Sequence, residues 1–273
     1  YGLALPLVKN GIPVAPVQLE NTLQPGALEP YAVLLLTYEG QKPLKAEYHD
    51  ALNRWVREGG CLIYVGDGSD PYHRVREWWN DQGQRDALAQ DDLFARLGVT
   101  RTAYNEPEAI GKGYVRVSSE KPRQLARYSD GAEKVLALVG EMLTLRGESL
   151  QTQHYLCLRR GPYVVVSVME ESLSETPFVL EGTFIDLFDA GLPALTRREM
   201  KPDERVLLYD VDWLRKQGVR AKAFAAAARI RDESVEDGLL RYTARGPQGT
   251  QARARILLPG PPVSVKTTPV FDV

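Results

Sequence analysis

The sequence predicts an α/β domain followed by an all-β domain, on three observations. In the first half, continuously apolar segments alternate with segments of helical periodicity, as is typical of parallel strands joined by helices. After about residue 147, short strand-like segments follow one another with turn residues between them, as in an antiparallel β-sandwich. The 273 residues, 44% of them hydrophobic, suffice for two cores. We therefore expect an α/β domain over residues 1–147 and a β-sandwich domain over residues 148–273.

The α/β domain opens with a helix, an extended segment and a strand. "YGLALPLVKNG" predicts a short helix that ends at Gly11, and "IPVAPVQL" predicts an extended segment at a sheet edge because it carries two prolines. "YAVLLLTYEG", residues 31–40, predicts a parallel strand that is covered on both faces because it is continuously apolar. The chain begins in helical sequence with no strand before it, and an open sheet without an inner strand would leave backbone groups unpaired. We expect the chain to be the C-terminal part of a larger protein.

The next helix carries the strongest periodicity in the chain. In "KAEYHDALNRWVREGG" apolar side chains recur at helical spacing before Gly59 and Gly60 end the helix; they are Tyr48, Ala51, Leu52, Trp55 and Val56. "CLIYV" follows as a buried strand, which gives a parallel strand, helix, strand unit. "GKGYVRVSS" predicts a further strand, and "SDGAEKVLALVGEML" predicts a helix with Asp130 and Glu133 as a capping pair.

The second half predicts strands throughout. "HYLCLRRGPYVVVSVMEES" indicates two strands about a turn at Gly161 and Pro162, and further strands are indicated by "FVLEGTFIDLFD", "ERVLLYDV", "GLLRYTARGP" and "QARARILLP". "KAFAAAARIRDES" has helical propensity, but we interpret it as strand because its neighbours are strands.

Composition argues against several classes of partner. The net charge is -2, with 34 basic and 36 acidic residues, so bulk charge does not favour binding to nucleic acid or to an anionic membrane. The apolar runs fall below the roughly 18 residues of a membrane-spanning helix. Cys61 and Cys157 both lie in apolar runs of different predicted domains, so we expect two buried free thiols instead of a disulfide. Nothing in the sequence assigns a compartment.

The loop after Val65 is the predicted functional site, because ligands of open parallel sheets bind at the carboxyl ends of the strands. The loop lacks the glycine spacing of a phosphate-binding motif, and Ser69 lacks the frame of a nucleophilic serine, so we expect neither a cofactor nor a catalytic residue in this chain. No second histidine or cysteine pair supports a metal site. The candidate substrate-binding residues are Asp67, Asp70, Tyr72, His73, Trp78 and Trp79.

The chemistry of this loop favours a sugar as its ligand. Aromatic side chains in a polar loop can stack on the apolar face of a sugar ring, and Tyr72 and the two tryptophans are placed for this. One of two adjacent tryptophans usually packs beneath its own loop. Asp70 before Pro71 is a typical turn opener, and Asp67 between two glycines can accept hydrogen bonds from loop amides. Of the other histidines, His49 is expected to be solvated on the exposed side of its helix, and His154 to be structural.

The order of these segments resembles a known family. The "NGIPV" turn into a strand, the strand that ends near Glu39, the helix exit "LNRWVREGG" and the late "GKG" strand resemble the class I glutamine amidotransferase-like domain, in particular the inactive trimerisation-type domain of bacterial β-galactosidases. The resemblance covers residues 1 to 147 and implies a flavodoxin-like parallel α/β fold. The segments after it resemble the β-sandwich that follows the catalytic domain in large bacterial glycoside hydrolases.

The residues of an active amidotransferase are missing from the matching positions. The resemblance places the nucleophilic cysteine at the sharp turn after the strand "CLIYV", and this sequence carries Gly66 there. Cys61 begins the strand, about five residues too early for catalysis, where a thiol would be buried. The segment "EKPRQLARYSD" contains no histidine to serve as its partner.

Three functions remain as hypotheses. The first is a non-catalytic C-terminal portion of a bacterial glycoside hydrolase, whose partners are an upstream catalytic domain, a carbohydrate and further copies of itself. The second is an independent hydrolase or metal-dependent enzyme, which requires Asp67, Asp70 and His73 to converge. The third is an interaction module, which requires an exposed apolar patch without a polar pocket.

Overall fold

The computed structural model describes residues 1–81, 87–99, 106–170, 174, 176–249 and 251–268. The chain divides into two compact units, Tyr1–Gln153 and His154–Val273. The boundary predicted from the sequence lies a few residues earlier. Within the described ranges, no helix is both long enough and apolar enough to cross a membrane.

A mixed four-stranded sheet organises the first unit. Its strands are β1 Val33–Leu36, β2 Cys61–Val65, β3 Glu108–Ile110 and β4 Gly113–Ser118. The order is β1-β2-β4-β3, in which β1, β2 and β4 are parallel and β3 pairs antiparallel to β4. The strand, helix, strand unit predicted around "CLIYV" is confirmed. The parallel strands bring the loops after β1, β2 and β4 to one edge of the sheet.

In the described part of this unit the α-helices are α1 Ala4–Lys9, α2 Glu47–Glu58, α3 Ala89–Leu97, α4 Pro122–Leu125 and α5 Gly131–Leu145. Two 3-10 helices occupy Leu19–Leu23 and Pro71–Arg74. The core lies on both faces of β2, whose five residues are all buried. Leu62 and Tyr64 pack with α2 and α3 on one face, and Cys61, Ile63 and Val65 pack with α1 and α5 on the other.

The second unit is rich in antiparallel strands. A five-stranded sheet has the order β5-β6-β9-β7-β8, and two ribbons pair β10 with β13 and β11 with β12. The strands are β5 Tyr155–Arg160, β6 Tyr163–Val168, β7 Phe178–Asp186, β8 Ala194–Met200, β9 Arg205–Asp210, β10 Lys222–Ala226, β11 Arg229–Glu236, β12 Leu239–Arg245 and β13 Ala254–Leu257, with helix α6 Val211–Lys216 after β9. The strand interpretation of "KAFAAAARIRDES" is confirmed by β10 and β11.

Several local predictions are wrong, for identifiable reasons. Residues 12–18 form no strand, and β1 is only partly buried because it forms the edge of the sheet. Asp130 makes no side-chain cap, since its carboxylate lies 3.3 Å from the Lys134 ammonium. Cys157 is only partly buried, in contrast to Cys61. His49 is buried and not solvated, because it hydrogen-bonds inside the core.

Candidate functional site

The loop after β2 is fixed to the ends of both neighbouring strands. Asp67 accepts a hydrogen bond from the Ser69 amide (3.0 Å) and pairs with the Lys121 ammonium beyond β4 (2.9 Å). Lys121 also donates to the Ser69 hydroxyl at 2.8 Å. Burial by itself raises the pKa of Asp67, but the hydrogen bonds from Lys121 and Ser69 outweigh it and lower that pKa to about 2. Asp67 is therefore ionised at neutral pH and serves to hold the loop.

Asp70 ties the same loop to the residues that follow β1. One carboxylate oxygen accepts the Gly40 amide at 2.6 Å and the Lys42 ammonium at 2.8 Å, and the other accepts the Tyr72 amide at 3.0 Å. The Tyr72 bond caps the 3-10 helix, as expected of an aspartate before Pro71. Burial opposes ionisation, yet these hydrogen bonds hold the pKa of Asp70 well below its usual range.

The three aromatic candidates differ in exposure. The side chain of Tyr72 is 64% exposed, whereas that of Trp79 is only 5% exposed and donates to the His73 carbonyl at 3.3 Å. Trp78 is partly buried and donates to the Pro43 carbonyl at 2.9 Å. The two indole rings contact edge to face, 5.7 Å between centroids. Tyr72 is thus the most exposed of the three aromatic side chains.

His73 lies beneath the loop, 2% exposed, and its Nδ1 has no hydrogen-bond partner among the described residues. Burial lowers its pKa, and the Lys42 ammonium lowers it further. The described ranges contain no group of three histidine, cysteine, aspartate or glutamate side chains arranged to hold a metal. Asp67 and Asp70 turn to different lysines, so the convergence that the metal-dependent hypothesis requires is not observed.

The residue directly after β2, where the resemblance places a nucleophilic cysteine, carries no nucleophile. Gly66 has no side chain, and a Cβ built there would lie 3.4 Å from the Tyr64 hydroxyl, so the position has room for one. Cys61 is fully buried at the start of β2, and its thiol faces the Met142 carbonyl at 3.6 Å. Burial raises the pKa of the Cys61 thiol, which opposes formation of a nucleophilic thiolate.

The sequence analysis did not predict the basic side chains at the carboxyl edge of the parallel sheet. Lys42 pairs with Asp70 and Lys121 pairs with Asp67. The charges of Arg123 and Lys121 act on Glu39, whose pKa is nevertheless raised by burial. The signal was present in the sequence. The "EKP" segment begins two residues after the end of β4, and the carboxyl ends of parallel strands meet at one edge.

A second polar cluster lies inside the first unit. The buried Tyr38 hydroxyl lies 2.7 Å from His49 Nε2, and His49 Nδ1 lies 2.7 Å from the Asp92 carboxylate. Arg96 binds the same carboxylate at 2.7 Å. Burial lowers the pKa of His49 more than Asp92 raises it. A neutral imidazole that donates to Asp92 and accepts from Tyr38 satisfies every partner, so the cluster is a closed structural network.

We expect the first unit to lose stability as the pH falls below about 6.5, the pKa of histidine in an unfolded chain. His49 and His73 both have lowered pKa values in the fold, so the unfolded state binds protons first and gains from acidification. The loss is at most about 1.4 kcal/mol per pH unit per histidine, and it ends where the pH reaches the folded-state pKa of that histidine. Denaturant titrations between pH 8 and about 5 measure it, and the slope should decrease in His73→Asn. A free energy of unfolding that does not change over this pH range would contradict the lowered pKa values of His49 and His73.

Replacement of Lys121 by glutamine should raise the pKa of Asp67 from about 2 toward the usual value near 3.9, because the ammonium supplies its largest stabilising contact. Carboxyl NMR titration measures the shift. Lys134→Gln is the matched control, since Lys134 pairs with Glu120 and Asp130 and leaves Asp67 untouched. An unchanged Asp67 titration in Lys121→Gln would show that the loop amides hold the carboxylate alone.

Comparison with known proteins gives distant similarities only. No family model matches the chain, and no curated protein matches it. A β-galactosidase from Bacillus circulans sp. alkalophilus is 12% identical with a TM-score of 0.43, over 76% of this chain and 36% of that chain. A catalytic mutant of Gan42B, a GH42 β-galactosidase from G. stearothermophilus, is 13% identical with a TM-score of 0.38, over 75% and 35%. An exo-carrageenase GH42 from Bacteroides ovatus is 11% identical with a TM-score of 0.29. The chain spans about a third of the length of the two β-galactosidases it resembles, and at these TM-scores we base no conclusion on the similarity.

Proposed function

We propose that this chain is a non-catalytic C-terminal portion of a bacterial glycoside hydrolase. In this proposal residues 1–147 form a flavodoxin-like, amidotransferase-like domain and residues 148–273 form a β-sandwich. Together they support an upstream catalytic domain, take part in homo-oligomerisation and contribute the loop from Asp67 to Trp79 to a carbohydrate site. The catalytic acid and nucleophile of the parent enzyme then lie outside this sequence.

The observation that carries the proposal is the chemistry at the mouth of the parallel sheet. Gly66 stands where an active relative would carry its nucleophile, and Cys61 is buried. Glycoside hydrolysis requires one carboxylic acid with a raised pKa and a second carboxylate free to act. Asp67 and Asp70 have lowered pKa values and are each bound to a lysine and to loop amides. They fit a structural loop and not an acid and base pair.

The role in sugar contact rests on Tyr72. It is the exposed ring of a loop whose backbone is held at both ends. Two packed aromatic rings gain about 0.5 to 1.5 kcal/mol, and we expect a sugar face on one ring to gain a similar amount. Trp79 donates to the His73 carbonyl, and His73 lies in the same 3-10 helix as Tyr72, so the backbone that carries this ring is held in place.

The isolated chain is expected to hydrolyse no chromogenic galactoside and to bind galactosides weakly. Tyr72→Ala should weaken binding about two- to tenfold in NMR titrations, as expected for loss of one stacking contact. Tyr128→Ala, a change at another exposed tyrosine of the same unit, is the control. Turnover by the purified chain would contradict the non-catalytic role, and binding unaffected by Tyr72→Ala would contradict the sugar contact.

The reading frame that encodes this chain tests whether a catalytic domain lies upstream of it. If it continues upstream of Tyr1 into a catalytic barrel with its own pair of carboxylates, the parent enzyme is identified. A frame that begins at Tyr1 removes the proposal.

A second candidate, the interaction module, is favoured by one observation. The first unit contains an apolar groove beside β1, and the side chains that line it are almost all hydrophobic.

A further inference from the structure

The first unit carries a groove along the free edge of its sheet. The groove encloses about 460 Å³ between residues 12–17 on one side and β1 on the other, and Leu3, Ala4 and Leu7 of the α1 region line one of its walls. We call this space the β1 groove. Every residue of β1 contributes to it, and all four are only partly buried.

The backbone of β1 is paired on one side only. The Cys61 amide of β2 donates to the Ala32 carbonyl at 3.1 Å, and β1 runs parallel to β2 in the register Val33 to Cys61. Alternate residues of a strand point their amide and carbonyl groups to opposite sides, so Leu34 and Leu36 bond to β2. The amides and carbonyls of Val33 and Leu35 therefore face the groove, and among the described residues no hydrogen bond reaches them.

This edge lacks the usual protection of a solvent-facing strand. Natural edge strands carry charges, prolines or bulges that prevent further pairing. The sequence of β1 is Val-Leu-Leu-Leu, and its pairing with β2 runs without a register shift. Such an edge is stable in a folded protein when another strand covers it.

The side chains that line the β1 groove favour a β-strand over a small molecule as its occupant. Ligand pockets combine apolar walls with a few convergent polar side chains. In the β1 groove the polar side chains are those of Thr22 and Tyr31, and the Thr22 hydroxyl is bonded to the Leu19 carbonyl at 2.6 Å. Apart from the Tyr31 hydroxyl, the unpaired polar groups of the groove are backbone groups of β1. They are spaced as a strand presents them, and they match the donors and acceptors of another strand.

The position of Gly2 indicates where such a strand would come from. Gly2 packs against the Pro122 carbonyl, so closely that a Cβ would overlap it. Pro122 follows Lys121, which pairs with Asp67 at the carboxyl edge of the sheet. A strand parallel to β1 would end at this edge and could continue directly into Gly2 and α1, after which residues 12–17 line the opposite side of the groove.

We propose that the β1 groove accepts a β-strand formed by the polypeptide that directly precedes Tyr1 in the full-length protein, parallel to β1 and hydrogen-bonded to Val33 and Leu35. With this strand in place, β1 becomes an interior strand and α1 becomes a strand-to-strand connection. The inference rests on the proposed function only in requiring a longer parent protein, and its test does not involve sugar or catalysis.

Hydrogen exchange of four adjacent amides tests the groove. In the chain from Tyr1 to Val273, the amides of Val33 and Leu35 should exchange about tenfold or more faster than those of Leu34 and Leu36. An extension of about six alternating valines and isoleucines placed directly before Tyr1 should slow Val33 and Leu35 by about tenfold or more. The matched control has the same length with prolines at alternate positions, which removes the backbone donors.

Three results would overturn the proposal. The first is equal protection of all four amides without an extension, and the second is unchanged exchange in the extended chain. The third is protection of Val33 and Leu35 that rises with the concentration of the unextended chain, which would identify a second copy as the occupant. If the extended chain does not fold, a synthetic peptide of the same strand sequence with terminal lysines replaces it. Protection confined to β1 then supports the groove, and absence of protection contradicts it.

Discussion

His49→Ala is expected to lower the free energy of unfolding of the first unit by about 3 to 5 kcal/mol. The imidazole is fully buried between the Tyr38 hydroxyl and the Asp92 carboxylate. Its removal leaves the buried hydroxyl without an acceptor, takes one donor from the carboxylate and opens a cavity beside Trp78, whose ring lies 5.6 Å from it. Urea denaturation followed by tryptophan fluorescence measures the change, since Trp55, Trp78 and Trp79 all belong to this unit.

Two variants separate the parts of this effect. His49→Leu restores most of the volume and loses only the hydrogen bonds, so its cost should be about 2 kcal/mol. Arg54→Ala changes an exposed position of the same helix and should stay within about 0.5 kcal/mol of the parent. A loss below about 1 kcal/mol in His49→Ala would mean that the network contributes little.

Gly113→Ala is expected to cost about 3 kcal/mol or more, because a Cβ at the start of β4 would overlap backbone atoms that cannot rotate away. Those atoms are the carbonyl oxygens of Val56, in the last turn of α2, and of Gly60, directly before β2. To admit a methyl group, β4 must move away from α2, and the pairing of Tyr114 with Cys61 must move with it.

Gly140→Ala is the matched control for this substitution. Gly140 lies within α5, where a Cβ would meet Leu150 at an ordinary contact distance of 3.7 Å. Alanine in a helix interior is favoured over glycine by about 0.5 to 1 kcal/mol, so this variant should be as stable as the parent or more so. Equal stabilities of the two variants in thermal or urea denaturation would contradict the close approach of α2 and β4.

Sequence periodicity predicted the helices and strands that carry a clear apolar pattern. The spacing of Tyr48, Leu52 and Val56 identified α2, and the run "CLIYV" identified β2, because an apolar face or a continuous apolar strand has one favourable place to go. The same logic failed for His49. It lies on the face of α2 that carries Leu52 and Val56, but a histidine is polar, and its two partners come from distant segments that the helical pattern does not contain.

The position of each strand within the sheet was predicted less well. Whether a strand lies at the edge depends on which other segments pair with it. The proline-bearing segment 12–18 was assigned to the sheet edge, yet β1 holds the edge and the segment pairs with no strand. Helices α3, α4 and α6 and strands β3 and β8 were not predicted. At the site, Asp67, Asp70 and Tyr72 were found from the loop itself, but Lys42 and Lys121 were not, because their closeness to it is a product of parallel topology.

The loop from Gly66 to His73 is tethered on two sides, by Asp67 to the segment after β4 and by Asp70 to the segment after β1. A binding partner therefore meets a surface whose shape is set before contact. Ordering a mobile loop usually consumes part of the interaction energy, roughly 0.5 to 1.5 kcal/mol for each immobilised side chain. In the proposed sugar contact, such preorganisation would leave more of the stacking energy of Tyr72 available for binding.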